Sequence, residues 1–226
     1  MLNANQIQDA YNAIRKVVKK TPLEKHEFLS QKFSANIYLK REDLQVVRSY
    51  KLRGAYHLIS SLPQNEKDQG IVCASAGNHA QGVAHSCSLL KVKGIIYMPR
   101  TTPKQKIRMT EKRGGDWIEV RLEGDTFDEA AKCARDFQKT QQATFIHPFD
   151  HESIMAGGGT VALEMLTQIE EPIDMVVAPI GGGGLCSGMA AWLQEHSPHT
   201  KLWGVEPEGA ESMTAAMAEG KVVTLS

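Results

Sequence analysis

The sequence predicts an α/β fold organised around parallel β-sheet. Short apolar runs alternate along the chain with segments of helical periodicity, the order that βαβ units produce. The most apolar run, Met175-Val176-Val177-Ala178-Pro179-Ile180, shows no period-two alternation, as a strand covered on both faces should.

The elements follow in order. Residues 5–18 space Ile7, Ala10, Tyr11, Ile14 and Val18 near the helical period, and Thr21-Pro22 breaks the pattern. Strands are expected at 36–40, 71–75, 94–98, 117–120, 144–146, 175–180 and 202–205. Between them, helical patterns occupy 52–62, 78–90, 104–113, 127–140, 152–169 and 185–195. There is no internal repeat, low-complexity tract or flexible linker, so any division into domains is made by chain crossings within one body.

Composition narrows the function. The 226 residues are 42% hydrophobic and 23% charged, which excludes a disordered or fibrous chain. Lys plus Arg number 26 and Asp plus Glu 26, so no basic excess marks a nucleic-acid or membrane-surface binder. No apolar run approaches the ~20 residues of a membrane helix, and the amino end is polar and periodic rather than signal-like. A cytoplasmic protein whose partner is a small molecule or another protein is expected. Cys73, Cys87, Cys133 and Cys186 are scattered with no CxxC pair, which reads as reduced core thiols.

In parallel α/β sheets ligands bind beyond the carboxyl ends of the strands, so residues just after the apolar runs are the candidates. Gly181-Gly182-Gly183-Gly184 follows the run at 175–180 and opens a helix at Leu185. Glycines let the backbone approach a ligand, and amides at a helix start favour an anion, so phosphate is the natural occupant. The run lacks the Lys-Ser/Thr end of a nucleoside-triphosphate loop, and Cys186 and Ser187 stand where a dinucleotide fingerprint needs its third glycine. The plain alternative is a tight strand-to-helix turn.

Ser49-Tyr50-Lys51-Leu52-Arg53-Gly54-Ala55 places Lys51 at a helix start, where the helix dipole favours the neutral amine that an imine requires. A lone lysine is otherwise a solvated surface charge. Ser75-Ala76-Gly77-Asn78-His79 follows another strand and enters a helix, so its amides suit a carboxylate. Asn78 could equally cap that helix, and His79 could be a structural core histidine.

Together these segments resemble the pyridoxal-phosphate enzymes of fold type II, and within them the threonine dehydratases. The resemblance also rests on Lys40-Arg41-Glu42-Asp43, Ile146-His147-Pro148-Phe149-Asp150 and Val205-Glu206-Pro207, and so spans nearly the whole chain. It implies a three-layer αβα fold of two mostly parallel-sheet domains: residues 1–52 and 149–226 forming the large domain, 53–148 the small one, with the active site in the cleft between them. It implies that Lys51 holds pyridoxal 5'-phosphate as an imine and, once freed, removes the substrate α-proton. It assigns Asn78 to the cofactor ring hydroxyl, Gly181, Gly182, Gly183, Gly184 and Leu185 to its phosphate, and Ser75, Ala76, Gly77, Asn78 and His79 to the substrate carboxylate. The implied reaction is deamination of L-threonine to 2-oxobutanoate and ammonia, with L-serine to pyruvate as a side activity, in isoleucine biosynthesis or threonine catabolism, by a homo-oligomer (dimer or tetramer).

Serine racemases share the lysine, asparagine and glycines but carry a serine before Gly-Asn-His, where this chain has Ala76. Elimination is therefore expected over racemisation. Some racemase-like relatives bind a cation through a glutamate, a carbonyl and an aspartate; Glu206 and Ala210 match, but Ser212 replaces the aspartate, so no metal is expected. Of the cluster His147, Asp150 and His151, two members belong to the family's His-Pro-Phe-Asp element, so it is not read as a ligand set. Where the family commonly has Ala-Gly-Gln-Gly-Thr, this chain has Ala156-Gly157-Gly158-Gly159-Thr160. Similar enzymes continue well past the Val-Glu-Pro element, with a serine for the pyridine nitrogen. The chain ending at Leu225-Ser226 is thus expected to be an incomplete catalytic domain, weak in cofactor binding and turnover when alone. The contrasting reading is a non-catalytic fragment or binding module of the same fold.

Overall fold

The computed structural model describes residues 2–223, and the chain packs as two compact units. One comprises residues 2–12, Lys20–Arg41 and the chain from Phe149 on; the other comprises Ala13–Lys19 and Glu42–Pro148. Lys51 therefore packs with the residues that follow it. The terminal Leu225-Ser226 lies outside the described residues.

Helix α1 (Ala4–Ile14) buries Ile7, Ala10 and Ile14 along one stripe. It stops short of Val18 because the chain tightens, the N–H groups of Val17 and Val18 both reaching the Ile14 carbonyl, at 2.9 and 2.8 Å. Val18 nevertheless stays buried, which preserves the periodicity seen in sequence. Strand β1 (Leu23–Lys25), helix α2 (Glu27–Phe33) and strand β2 (Tyr38–Lys40) follow, with β1 and β2 antiparallel and Leu23 opposite Lys40. This small sheet departs from the parallel arrangement expected of the strand at 36–40. Helix α2 escapes a periodicity search because it is short, and its cap is the imidazole of His26, whose Nδ1 accepts from the Leu29 N–H at 3.3 Å.

The second unit holds α3 (Lys51–Ser61), α4 (Gln64–Gln69), β3 (Ile71–Ala74), α5 (Asn78–Leu90), β4 (Gly94–Met98), α6 (Lys104–Gly114), β5 (Ile118–Leu122), α7 (Phe127–Gln141) and β6 (Thr144–Phe145). Its strands form one parallel sheet in the order β5-β4-β3-β6, with Ile71 beside Gly94 and Gly94 beside Ile118. Val72, Ala74 and Tyr97 pack on Ala130, Ala131 and Ala134 of α7. The alternate positions face the other way: a Cβ on Gly94 would lie 2.8 Å from the Cys87 sulfur of α5. Period-two alternation between two helical covers makes this unit three-layer αβα. A capping box of Thr126 and Glu129 starts α7.

The first unit resumes with α8 (Glu152–Leu166), β7 (Met175–Pro179), α9 (Gly184–His196), β8 (Lys201–Val205) and α10 (Ser212–Glu219). Helices α8 and α9 approach closely because both carry glycine at the crossing: a Cβ on Gly188 would lie 2.0 Å from the Met155 carbonyl oxygen, and one on Gly159 would lie 2.7 Å from that of Gly188. Near the end of α8 the buried Lys40 amine meets the buried Glu164 carboxylate and donates to the Thr21 carbonyl at 2.7 Å and to Gln168 Oε1 at 2.9 Å. Strands β7 and β8 pair in parallel, Met175 beside Lys201. The expectation that residues 175–180 are covered on both faces is not met. Val176 and Ala178 are buried, but Val177 is 63% exposed and Trp203 on β8 is 58% exposed, since α9 covers only one face of this pair among the described residues. No helix among the described residues is long and apolar enough to cross a membrane.

Candidate functional site

Lys51 is the first residue of α3. Tyr50 precedes it in the N-cap position without a side-chain cap bond, and the Tyr50 ring lies 5.3 Å from the lysine Nζ. The Nζ donates to the Pro148 carbonyl at 2.7 Å. Burial pushes its pKa below the ordinary lysine value, because the ammonium form is the one that loses hydration. Two residues earlier, the Ser49 hydroxyl is buried with no hydrogen-bond partner.

Residues 75–79 leave β3 at its carboxyl end and start α5. The Gly77 N–H donates to Ser75 Oγ at 3.2 Å, closing a tight turn. Gly77 is the N-cap, so Asn78 does not cap the helix; it is the first helical residue, and its side chain is exposed. A Cβ at Gly77 would meet nothing within 4 Å, which leaves open space above the free amides of this helix start.

His79 is committed elsewhere. It is buried, and its Nε2–H donates to the Ile146 carbonyl at 3.0 Å. Burial first, then the charges of Lys51 and His147, outweigh that bond and push the imidazole down to about 4, so the ring is a neutral structural element at neutral pH. Only its backbone belongs to the helix start. The structure thus brings Lys51 and the start of α5 into one neighbourhood, and the Pro148 carbonyl and Ser49 hydroxyl join them, two groups of the motifs at 146–150 and 49–55 that sequence reasoning left without a role.

The glycine run belongs to the other unit and links β7 to α9. Its glycines have different reasons to be there. A Cβ at Gly182 would lie 2.3 Å from the Phe149 ring, and one at Gly184 would lie 2.7 Å from the Phe149 carbonyl oxygen. Gly183 has φ +80°, which side chains rarely adopt, and its carbonyl accepts the Ser187 N–H at 2.8 Å. Gly181 is exposed and a Cβ there would touch nothing within 4 Å, so neither packing nor backbone conformation requires it. Leu185, just inside α9, is buried.

Glu206 serves α10. Its carboxylate accepts the N–H groups of Met213 and Thr214 at 2.8 and 2.9 Å and the Thr214 hydroxyl at 2.9 Å, and these bonds hold it below the usual carboxylate range. His151 caps α8, its Nδ1 accepting from the Ser153 N–H at 3.1 Å. Among the described residues no group of three or more His, Cys, Asp or Glu side chains is arranged to hold a metal ion.

A family model described as pyridoxal-phosphate dependent enzyme matches residues 14–226. The chain is 49% identical over 223 residues to the biosynthetic L-threonine dehydratase of Halalkalibacterium halodurans, covering 97% of this chain and 54% of that protein. Among solved structures, the processed form of threonine deaminase isoform 2 from Solanum lycopersicum superposes with a TM-score of 0.91 at 42% identity, over 99% of this chain and 62% of that one. Maize serine racemase superposes at 0.93 with 30% identity, over 99% of this chain and 67% of that one. The chain spans about half the length of the curated relatives it matches. With its αβα unit, its lysine at a helix start and a glycine turn after a parallel strand, the chain belongs to the pyridoxal-phosphate dependent enzymes, and pyridoxal 5'-phosphate is its cofactor.

Proposed function

We propose that the chain carries the chemistry of a threonine ammonia-lyase, converting L-threonine to 2-oxobutanoate and ammonia, with L-serine to pyruvate as a side reaction. The observation that carries this reading is the desolvated Lys51 amine at the start of α3, 2.7 Å from the Pro148 carbonyl, in the neighbourhood of the open helix start at 77–79. Similarity to proteins named threonine dehydratase and threonine deaminase supports the choice of substrate.

The residues present fit the cofactor. Ser49 has a buried hydroxyl in want of a partner, and Gly77 and Gly181 border open space. Lys51 would hold the cofactor through its amine, Asn78 would meet the ring hydroxyl, and the amides of Gly181, Gly182, Gly183, Gly184 and Leu185 would take the phosphate. When bound, the cofactor supplies an electron sink that makes the substrate α-proton acidic.

The chain's own side chains then divide the work. Lys51, whose ammonium form desolvation disfavours, accepts the α-proton. Ser75, Ala76, Gly77, Asn78 and His79 would surround the substrate carboxylate, with the amides of Ala76, Asn78 and His79 as donors, since the Ser75 N–H goes to the Tyr97 carbonyl at 3.0 Å and the Gly77 N–H to Ser75 Oγ; the His79 ring stays with Ile146 and shuttles no proton. Ala76 has no hydroxyl with which to protonate the opposite face, which favours loss of the β-hydroxyl over racemisation. The free state of the described cysteines agrees with a reducing, cytoplasmic setting, and the uncovered face of β7 and β8 agrees with a homo-oligomer.

Incubation with pyridoxal phosphate and L-threonine, reading 2-oxo acid and ammonia together, tests the assignment. Stoichiometric 2-oxobutanoate and ammonia are expected. From L-serine, D-serine accumulating faster than pyruvate would favour a racemase and overturn it.

A further inference from the structure

Glu42 stands in the motif at 40–43 and Arg53 in the motif that contains Lys51, yet neither has a part in the site described above. Arg53 is in the first turn of α3 and is fully buried, at 0% exposure. Its Nε donates to Glu42 Oε2 at 2.9 Å and its terminal nitrogen to Glu42 Oε1 at 2.8 Å, so the planar fork takes both carboxylate oxygens. Glu42 lies in the short turn Glu42–Leu44, and Gln45 Nε2 donates to the same carboxylate at 3.3 Å. Gln45 is itself anchored to Lys19, accepting its N–H at 3.2 Å and donating to its carbonyl at 2.7 Å. All these residues belong to the unit that contains Lys51.

A guanidinium removed from water is an expensive way to gain stability, since apolar side chains of similar volume do as well or better. What the fork adds is a fixed direction. The start of α3 has no side-chain cap to define it, and α5 rests directly on the same peptide: a Cβ on Gly82 would lie 3.2 Å from the carbonyl carbon and oxygen of Lys51. The first turn is therefore held by both the Gly82 backbone and the Arg53 fork.

We propose that the Glu42–Arg53 pair is the positioning device of Lys51, fixing the first turn of α3 so that the amine reaches the Pro148 carbonyl and stays out of water. This rests on Lys51 being the reactive amine proposed above. The groups that face that amine are the His79 ring from α5, with His147 beside His79, and the Tyr50 ring from its own element. They are the same in native and variant proteins, and the cation left on Arg53 in Glu42→Gln would by itself lower the midpoint of Lys51, so a rise reports on the lost fork.

The test uses the full 226-residue chain without cofactor. Modification of Lys51 by an amine-reactive label is followed against pH by peptide mass spectrometry in the native chain, in Arg53→Lys and in Glu42→Gln, with the exposed Lys104 as internal reference and circular dichroism as the check on folding. Arg53→Lys keeps the charge but loses the fork, and Glu42→Gln keeps the shape but loses the carboxylate. The midpoint of Lys51 modification is expected to rise by about one pH unit in each folded variant, roughly ten-fold less neutral amine at a fixed pH below it, with Lys104 unmoved. An unchanged midpoint in a folded variant would overturn the proposal, whatever the thermal midpoint does. Failure of both variants to fold would assign the pair to stability alone and overturn it equally. Because the label is read without cofactor, this outcome is independent of whether Lys51 is the residue that binds it.

Discussion

The Nζ of Lys51 and the carbonyl oxygen of Pro148 lie 2.7 Å apart, joining the first residue of α3 to the last residue of the unit that contains it. A carbonyl accepts from either protonation state of the amine and brings no negative charge to hold the ammonium. The burial of the side chain therefore goes largely uncompensated, and the amine loses its proton more readily than an exposed lysine does.

Borohydride reduction of the chain loaded with pyridoxal phosphate is expected to fix the cofactor on Lys51, with peptide mapping as the readout. Lys51→Ala should remove that adduct without loss of helix content. Label on another lysine, Lys40 for instance, would overturn the assignment.

The buried His79 gives the fold a predictable acid limb. Its imidazole titrates near 4 in the folded chain and near 6.5 unfolded, so between those values the unfolded chain binds a proton that the native one refuses. Stability rises with pH through this window and is lost as pH falls from about 6.5 toward 4, by at most about 1.4 kcal/mol per unit. Urea unfolding at several pH values checks the slope. His79→Gln should flatten it, and an equal slope in native and variant would contradict the account.

The glycines of the β7–α9 turn are expected to separate by role. Gly182→Ala drives a methyl into the Phe149 ring and should cost about 1–3 kcal/mol in denaturant unfolding. Gly181→Ala meets open space and should leave unfolding unchanged while weakening pyridoxal phosphate binding, measured by titrating cofactor absorbance. Equal cofactor affinity in native and Gly181→Ala would remove this residue from the phosphate site.

Lys40→Met takes the cation from the buried Glu164 carboxylate and should lower stability by about 3–5 kcal/mol. Adding Glu164→Leu should recover most of that loss, since the isolated charge and not the missing pair is what destabilises. A double variant no better than the single one would argue that the Thr21 and Gln168 bonds to Lys40 carry the energy instead.

Strongly periodic elements were legible from sequence: α5 and β4 have the bounds that the pattern gives, and α9 and β8 differ by a residue or so. Short elements were not. Helix α4 has no apolar stripe to mark it, and β1 is too short for any period to register. Trp117 reads as strand by composition, but the preceding glycines turn it into a short helical turn, and β5 starts at Ile118. At the site, Lys51 and the helix start at 78 stand where the pattern places them. The partners that set their chemistry do not show in sequence, because the Pro148 carbonyl is backbone and the Glu42–Arg53 fork joins residues from different motifs. The solvent-facing side of β7 misled for another reason: apolar side chains alone cannot say which face of a strand is covered.

The uncovered side of β7 and β8 has an optical consequence. Trp203 stands in solvent, while Trp192 is buried in α9 and stacked on the His196 ring at 3.8 Å. Their emissions differ in colour and in access to a dissolved quencher such as iodide. With the partly buried Trp117 replaced by Phe, Trp203 is thus an intrinsic gauge of that surface: a blue shift and loss of iodide quenching with rising protein concentration would register the moment its indole leaves water, while the signal of Trp192 stays fixed as the internal standard.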